Sequence, residues 1–282
     1  MHWKRLIFLF LFLFPIPYSC KQDPSGSAPK KKLSVQSKNV KKTNYLPLEQ
    51  ALKTLRNDPL MANASIGYLI IDVTTKDPKV VADYHAKQSM IPASTLKIFV
   101  TGAALDIFGK EIIPEVTITN QMSINWRSSK LLRKIGGKVY HDATTAAGVK
   151  AITQYWSDKG VDTNGIYFYD GNGLSRNNSI SPKQLVDALY VMRISPYFKA
   201  FYESLPLAGM TGTLHKAMKG TEAQGRIRAK TGTISQVKSF AGFVDSVTGR
   251  KLIFALIVNN FDCRVKLMKK KMELVLVEMA RV

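Results

Sequence analysis

Three short polar motifs constrain this chain most, because their side chains can act together only if the fold gathers distant segments. The motifs are Ser-Thr-Leu-Lys at 94–97, Ser-Ile-Asn at 123–125 and Lys-Thr-Gly at 230–232. They supply two hydroxyls, two amines and a carboxamide. A serine hydroxyl is a weak nucleophile until a base removes its proton, and a lysine with a lowered pKa can be that base. The trio therefore predicts a serine acyl-transfer site whose base is not histidine.

Position in the chain separates these motifs from chance copies. Ser-x-x-Lys also begins at Ser27 and Ser235, and Ser-x-Asn also begins at Ser37 and Ser175. The stretch around Ser27 and Ser37 has few large apolar residues, so we expect it to be disordered. Ser94 instead opens an apolar run at helical spacing, where residues three apart share a face. We therefore predict Ser94 as the nucleophile, whereas Ser175 remains an alternative start of the second motif.

The segment that contains Lys-Thr-Gly is typical of an edge strand. On a strand, Lys230 and Gly232 share one face, while Thr231 and Thr233 share the other. We expect the glycine to leave room for a substrate backbone against the strand. The backbone N–H groups of Ser94 and Thr233 are predicted oxyanion donors, and Lys230 with a threonine hydroxyl is predicted to bind a carboxylate.

Four further segments carry a family resemblance. They are Tyr-Asp-Gly-Asn-Gly-Leu-Ser-Arg at 169–176, Ser-Leu-Pro-Leu-Ala-Gly at 204–209, Gly-Thr-Leu at 212–214 and Gly-Arg-Ile-Arg-Ala-Lys-Thr-Gly-Thr at 225–233. With the trio, they resemble the low-molecular-mass class C penicillin-binding proteins, the D-alanyl-D-alanine carboxypeptidase/endopeptidases of the penicillin-binding-protein-four type. The resemblance implies the serine β-lactamase/D,D-peptidase fold, a peptidoglycan stem peptide as substrate, an acyl-enzyme, covalent inhibition by β-lactams and no cofactor or metal. It also places the second motif at 123–125.

The resemblance suggests a role for each residue of the trio. We hypothesise that Ser94 attacks the scissile carbonyl and that Lys97 takes its proton. Ser123 would pass a proton to the leaving amine, and Lys230 would adjust the acidity of the Ser123 hydroxyl. Asn125 would hold the substrate amide. The residues expected to line the substrate on the strand are Thr231, Gly232 and Thr233.

The chain departs from the family pattern in three places. Ile124 stands where the family has Asp, and Ser128 and Ser129 stand where it has Ala-Glu. The interval between the first two motifs is also too short for the family's inserted domains, since a domain needs about 50 residues. We therefore expect a bare catalytic domain over 46–282. The alternatives are a β-lactamase, although no motif identifies a water-activating glutamate, and a catalytically impaired wall-binding lipoprotein.

The N-terminal region predicts export. Lys4 and Arg5 precede an apolar run over 6–14, which is too short to cross a bilayer as a helix of about 20 residues. Residues 1–20 thus resemble a signal peptide with a lipidation site at Cys20, and ordinary cleavage near Ser19 is the alternative. We expect residues 21–45 to form a basic, flexible tether. The predicted location is the periplasm or a membrane anchor that faces the cell wall.

Charge and composition limit the partners. The net charge of +21 would suit nucleic acid, but the export signal favours an anionic wall polymer or membrane surface. Two cysteines cannot form a disulfide framework, and the four histidines are scattered without metal-ligand spacing.

Helices are predicted at 47–56, 94–108, 123–135, 146–159, 182–192 and 264–279, and strands at 65–73, 80–84, 227–234, 239–245 and 252–258. Helices between two groups of antiparallel strands indicate an α+β domain.

Overall fold

A five-stranded antiparallel sheet forms the centre of the computed structural model, which describes residues 45–282. The strands are Ser65–Asp72 (β1), Lys79–Tyr84 (β2), Ile227–Ile234 (β3), Val237–Asp245 (β4) and Lys251–Asn259 (β5). Their order is β2-β1-β5-β4-β3, so the two N-terminal strands join the three C-terminal strands through the pairing of β1 with β5. As predicted, β3 lies at an edge.

Eight α-helices accompany the sheet within the described residues. They are Leu46–Arg56 (α1), Lys97–Phe108 (α2), Ile113–Met122 (α3), Asn125–Tyr140 (α4), Thr145–Asp158 (α5), Pro182–Ile194 (α6), Phe198–Ser204 (α7) and Val265–Arg281 (α8). Helices α1 and α8 cover one face of the sheet, and the helices from α2 to α7 form a region on the other face. None of the helices in this part of the chain is both long and apolar enough to cross a membrane.

Strand β5 shows why the sheet can be covered on both faces. Alternate side chains of a strand point to opposite faces. Ile253 and Ile257 therefore join the core under the helical region, while Phe254 and Leu256 join the core under α1 and α8. A strand buried on both faces is a continuous apolar run, as this one is.

Helix α2 is the central helix of the helical region and begins at Lys97. It is apolar around its whole circumference, as expected for a helix surrounded by protein. The Trp156 indole on α5 donates a hydrogen bond to the Phe99 carbonyl at 3.0 Å. A methyl group at Gly102 would lie only 2.9 Å from the same indole ring. These contacts fix the position of α2, and hence of its first residue.

The predicted α+β class is confirmed, with differences at particular elements. Helices α3 and α7 were not predicted, and α4 begins at Asn125 instead of 123 and continues to Tyr140. The predicted helix over 94–108 begins with a 3₁₀ turn, Ala93–Leu96. Tyr45, predicted as the end of the tether, is buried and donates a hydrogen bond to Asp72 at 2.7 Å. The predicted signal peptide, the lipidation site at Cys20 and the rest of the tether lie outside the described residues.

Candidate active site

Ser94 lies in the 3₁₀ turn that leads into α2, one turn before Lys97. Residues at this spacing share a face of the helix, and Lys97 Nζ lies 2.8 Å from Ser94 Oγ. Two hydroxyls fix the turn by donating to the Pro92 carbonyl, Thr95 Oγ1 at 2.6 Å and Ser239 Oγ at 2.6 Å. Because Ser239 belongs to β4, the nucleophile turn is anchored directly to the sheet.

Lys97 is fully buried and has three oxygen partners. Besides Ser94, its Nζ donates to Asn125 Oδ1 at 3.0 Å and to the Asn172 carbonyl at 2.5 Å. Burial lowers the pKa of Lys97 to about 7, although the negative charge of Asp170 opposes this shift. At neutral pH a substantial share of Lys97 is therefore neutral and able to accept the proton of Ser94.

Ser123 lies in the break between α3 and α4, where its backbone adopts a left-handed conformation with φ of 54°. We expected this serine to open a helix, but it ends α3, and Asn125 is the first residue of α4. The break turns the Ser123 hydroxyl towards β3, where Lys230 Nζ donates to it at 2.8 Å. Asn125 then directs its side chain to Lys97, so the second motif contacts both lysines.

Lys230 is fully buried on β3. Its Nζ donates to Ser123 Oγ and to the Thr231 carbonyl, the latter at 3.1 Å. Burial, followed by the nearby charge of Lys97, lowers the pKa of Lys230 well below its usual range. Two neighbouring buried ammonium groups repel each other, so both amines are not protonated at once. The pair is therefore suited to passing one proton between two hydroxyls.

Gly232 packs β3 against the nucleophile turn. A methyl group at Gly232 would lie 2.1 Å from Ser239 Oγ and 2.7 Å from the Pro92 carbonyl. The glycine is therefore required for close packing, and our expectation that it leaves room for a substrate backbone was wrong. The other face of β3 carries Thr231, which donates to Thr213 Oγ1 at 3.0 Å, and the exposed Thr233.

The loop at 169–176 forms a further wall of the site that motif reasoning did not place among the functional residues. Its Asn172 carbonyl accepts the hydrogen bond from Lys97. Asp170 holds the loop in shape by accepting from the backbone N–H groups of Asn172 at 3.0 Å, Gly173 at 2.6 Å and Ser175 at 2.8 Å. The sequence signal was the Asp-Gly-Asn-Gly run, whose residue types favour a tight turn.

Two serines that depart from the family pattern hold this loop on α4. Ser128 Oγ donates to the Gly171 carbonyl at 2.5 Å, and Ser129 Oγ accepts from the Asn172 side chain at 2.8 Å. Ser175, the alternative start of the second motif, has a local role, since its hydroxyl accepts from the Asn177 N–H at 3.1 Å. The geometry thus brings Ser123, and not Ser175, to Lys230.

The predicted residues of the trio form two hydrogen-bonded groups, which the 123–125 segment joins because Ser123 belongs to one and Asn125 to the other. Ser94 contacts Lys97, Lys97 contacts Asn125, and Ser123 contacts Lys230. This arrangement can activate one hydroxyl and supply a proton from another. Within residues 45–282, no three His, Cys, Asp or Glu side chains lie close enough together to hold a metal ion.

The chain matches a peptidase family model and is similar to characterised proteins. The model described as the D-Ala-D-Ala carboxypeptidase 3 (S13) family matches residues 48–115 and 110–280. A D-alanyl-D-alanine carboxypeptidase of Actinomadura sp. (strain R39) is 37% identical over 145 residues, which are 50% of this chain and 27% of that protein. The aligned region is thus little more than a quarter of that relative's length.

Solved structures share the fold. Penicillin-binding protein 4 of Haemophilus influenzae, in complex with a β-lactam, has a TM-score of 0.70 and 13% identity, covering 83% of this chain and 99% of that chain. The TLA-3 extended-spectrum β-lactamase has a TM-score of 0.65 and 15% identity, covering 84% of this chain and 98% of that chain. These similarities confirm the predicted serine β-lactamase/D,D-peptidase fold. Since the family model spans nearly all the described residues, the chain belongs to the D-Ala-D-Ala carboxypeptidase 3 (S13) family.

Proposed function

We propose that this chain is a serine D,D-carboxypeptidase/endopeptidase that cleaves D-Ala-D-Ala bonds in peptidoglycan stem peptides and is acylated by β-lactams. The observation that carries the proposal is the buried cluster in which Lys97 Nζ lies 2.8 Å from Ser94 Oγ and Lys230 Nζ lies 2.8 Å from Ser123 Oγ. Membership of the S13 family supports the choice of a D-Ala-D-Ala bond over other acyl groups.

In the proposed acylation step, Ser94 Oγ attacks the carbonyl carbon while its proton moves to the neutral amine of Lys97. The backbone N–H groups of Ser94 and Thr233 donate to the oxyanion that forms. Removal of one such donor typically costs about 3 kcal/mol of transition-state stabilisation. The requirement for a neutral amine is consistent with the pKa of about 7 at Lys97.

Collapse of the intermediate breaks the C–N bond and releases the terminal D-alanine. Ser123 gives its hydroxyl proton to the leaving amine and regains one from the two lysines, which thereby return to their starting charge. Water then attacks the ester carbonyl while Lys97 takes a proton from the water, and Lys97 gives that proton to Ser94 Oγ as the bond between this oxygen and the carbonyl carbon breaks and the acid product leaves. Endopeptidase cleavage uses the same steps with a larger leaving group.

The setting of the reaction is also part of the proposal. The export signal at 1–20 and the tether at 21–45 would place the domain outside the cytoplasmic membrane, facing the cell wall. Lipidation of Cys20 would anchor it there. The positive charge of the chain, +21 before the signal peptide is removed, favours approach to the anionic wall polymers of that compartment.

Mass spectrometry of the intact protein after incubation with benzylpenicillin tests the proposal. We expect a mass increase of one penicilloyl group, which Ser94→Ala abolishes and the control Ser89→Ala retains, since Ser89 is an exposed serine that donates to the Gly165 carbonyl. Slow loss of the adduct favours the peptidase, whereas rapid turnover would indicate a β-lactamase. An adduct that persists undiminished in Ser94→Ala would refute the assignment.

A further inference from the structure

A third buried lysine, Lys238 on β4, lies directly across from the end of the Lys-Thr-Gly strand. Its Cα pairs with that of Thr233 in the β3–β4 register. Lys238 is only 3% exposed, and its Nζ donates to Thr233 Oγ1 at 2.6 Å. Thr233 itself is exposed at the edge of the sheet, so a buried amine is connected to the surface through one hydroxyl.

The surroundings of Lys238 do not neutralise its charge by a direct ion pair. Within residues 45–282, no carboxylate forms a salt bridge or hydrogen bond with it, and its Nζ lies 4.7 Å from the centre of the Phe240 ring. The charges that change the pKa of Lys238 are those of Lys269 and Glu273 on α8. Lys238 in turn lowers the pKa of Lys230 on β3. Burial of an ammonium without a paired carboxylate is costly, so fold stability does not account for this lysine.

Lys238 keeps a positive charge at neutral pH. Burial lowers its pKa to about 8, helped by the charge of Lys269 and opposed by that of Glu273. An ammonium group has only donors, so Thr233 Oγ1 must accept the hydrogen bond between them. The hydroxyl hydrogen of Thr233 is then free to point outward, and the cation behind it makes this hydrogen a stronger donor.

Neighbouring threonines add further hydroxyls beside Thr233. Thr231 shares the outer face of β3 with Thr233 and is hydrogen-bonded to Thr213 at 3.0 Å. None of the hydrogen bonds of these three side chains involves a carboxylate within the described residues. Thr213 follows Gly212, which packs against Gln121 two residues before Ser123, so the Thr213–Thr231 pair lies next to the second motif. The Thr233 hydroxyl on the same face, backed by the buried Lys238 cation, is complementary to a small anion.

We propose that Lys238 is a positioning residue that directs the Thr233 hydroxyl onto the free C-terminal carboxylate of the substrate. The inference rests on the proposed peptidase function and extends it to the origin of specificity. It predicts that the degree to which the enzyme prefers a free carboxylate next to the scissile bond over an uncharged ester or amide depends on Lys238.

The test compares acylation by benzylpenicillin with acylation by its methyl ester, followed by intact mass over time. We expect Lys238→Met to slow acylation by the acid about tenfold, the effect of losing a charge-assisted hydrogen bond, and to leave the ester rate within twofold. The matched control is Lys269→Met, which removes a neighbouring positive charge that does not contact Thr233. It should keep the native ratio of acid to ester rates.

A combined variant tests whether Lys238 acts through Thr233. Thr233→Val should lower the acid-to-ester ratio, and adding Lys238→Met should lower it no further. Thermal unfolding verifies that each variant is folded, and Lys238→Gln gives the same comparison if the methionine variant does not fold. An unchanged ratio in folded Lys238 variants would overturn the role of Lys238 alone. Absence of any adduct on the native protein would overturn the proposed function, and this inference with it.

Discussion

The buried amine of Lys230 and the hydroxyl of Ser123 are joined by a hydrogen bond of 2.8 Å. The two residues are 107 positions apart in the chain, and one is on the edge strand while the other is in the break before α4. Ser94 and Lys97, in contrast, are neighbours on one turn. The nucleophile and its base are therefore placed by local geometry, whereas the proton donor depends on docking of the helical region against the sheet.

We predict that Lys230→Met lowers the rate of acylation by benzylpenicillin by about 100-fold, because a positioned proton-transfer group typically contributes at least this factor. The rate is measured by intact mass over time. Methionine retains the buried apolar contacts of the chain, so the variant is expected to fold. Lys251→Met is the control, since that side chain on β5 is 53% exposed. A rate for Lys230→Met within twofold of native would contradict a role for Lys230 in the reaction.

The rate of acylation should rise with pH through the pKa of Lys97, which is about 7. Only the neutral amine accepts the serine proton, so the rate is low at pH 5.5, half-maximal near the pKa and constant above it. The measurement is the rate with a fluorescent penicillin across this range, with hydrolysis of the same compound in buffer subtracted. A rate that falls as the pH rises from 6 to 8 would rule out Lys97 as the base.

Asp170→Asn should shift the midpoint of that pH profile to lower pH. The Asp170 carboxylate favours the protonated form of Lys97, so its removal lowers the pKa of Lys97 further. The asparagine side chain still offers an oxygen to the loop N–H groups. Asp142→Asn is the control, because Asp142 accepts from the Thr144 N–H at 2.9 Å in a turn before α5. A midpoint that moves to higher pH in Asp170→Asn would contradict the electrostatic argument.

The parts of the site that were predictable are those carried by side chains at regular spacing. Lys97 follows Ser94 by one helical turn, and the bounds of β3 matched the prediction because its pattern of residues is typical of an edge strand. Strand alternation also placed Lys230 and the two threonines on opposite faces. Each of these features depends on neighbours within about eight residues, which a sequence pattern can report.

The parts that were not predictable depend on tertiary contacts of the backbone. The end of α3 before Ser123 is held by Gln121, whose side chain donates to the Leu205 carbonyl at 3.0 Å, after α7. Likewise, Asn172 acts through its carbonyl, and every residue type has one. The function of Lys238 was hidden because its importance comes from its cross-strand position opposite Thr233, and not from any motif.

The fit of the loop against the nucleophile turn can be tested with two glycines that have the same φ. Gly173 and Gly249 both have φ of +83°, but a methyl group at Gly249 would have no neighbour within 4 Å. At Gly173 the same methyl would lie 2.0 Å from the Ala93 carbonyl and 3.0 Å from the Ser94 nitrogen. Alanine at either position therefore has the unfavourable positive φ, and only Gly173→Ala also displaces the nucleophile turn.

We predict that Gly249→Ala lowers the free energy of unfolding by about 1–2 kcal/mol, the cost of a left-handed residue with a side chain, and leaves acylation unchanged. Gly173→Ala should lose more stability and acylate at least tenfold more slowly, since small displacements of reacting groups cost about this much or more. Urea unfolding and the rate with benzylpenicillin measure the two effects. If Gly173→Ala acylated at the native rate, the loop would not set the position of Ser94, and its contact with Lys97 would be incidental to the reaction.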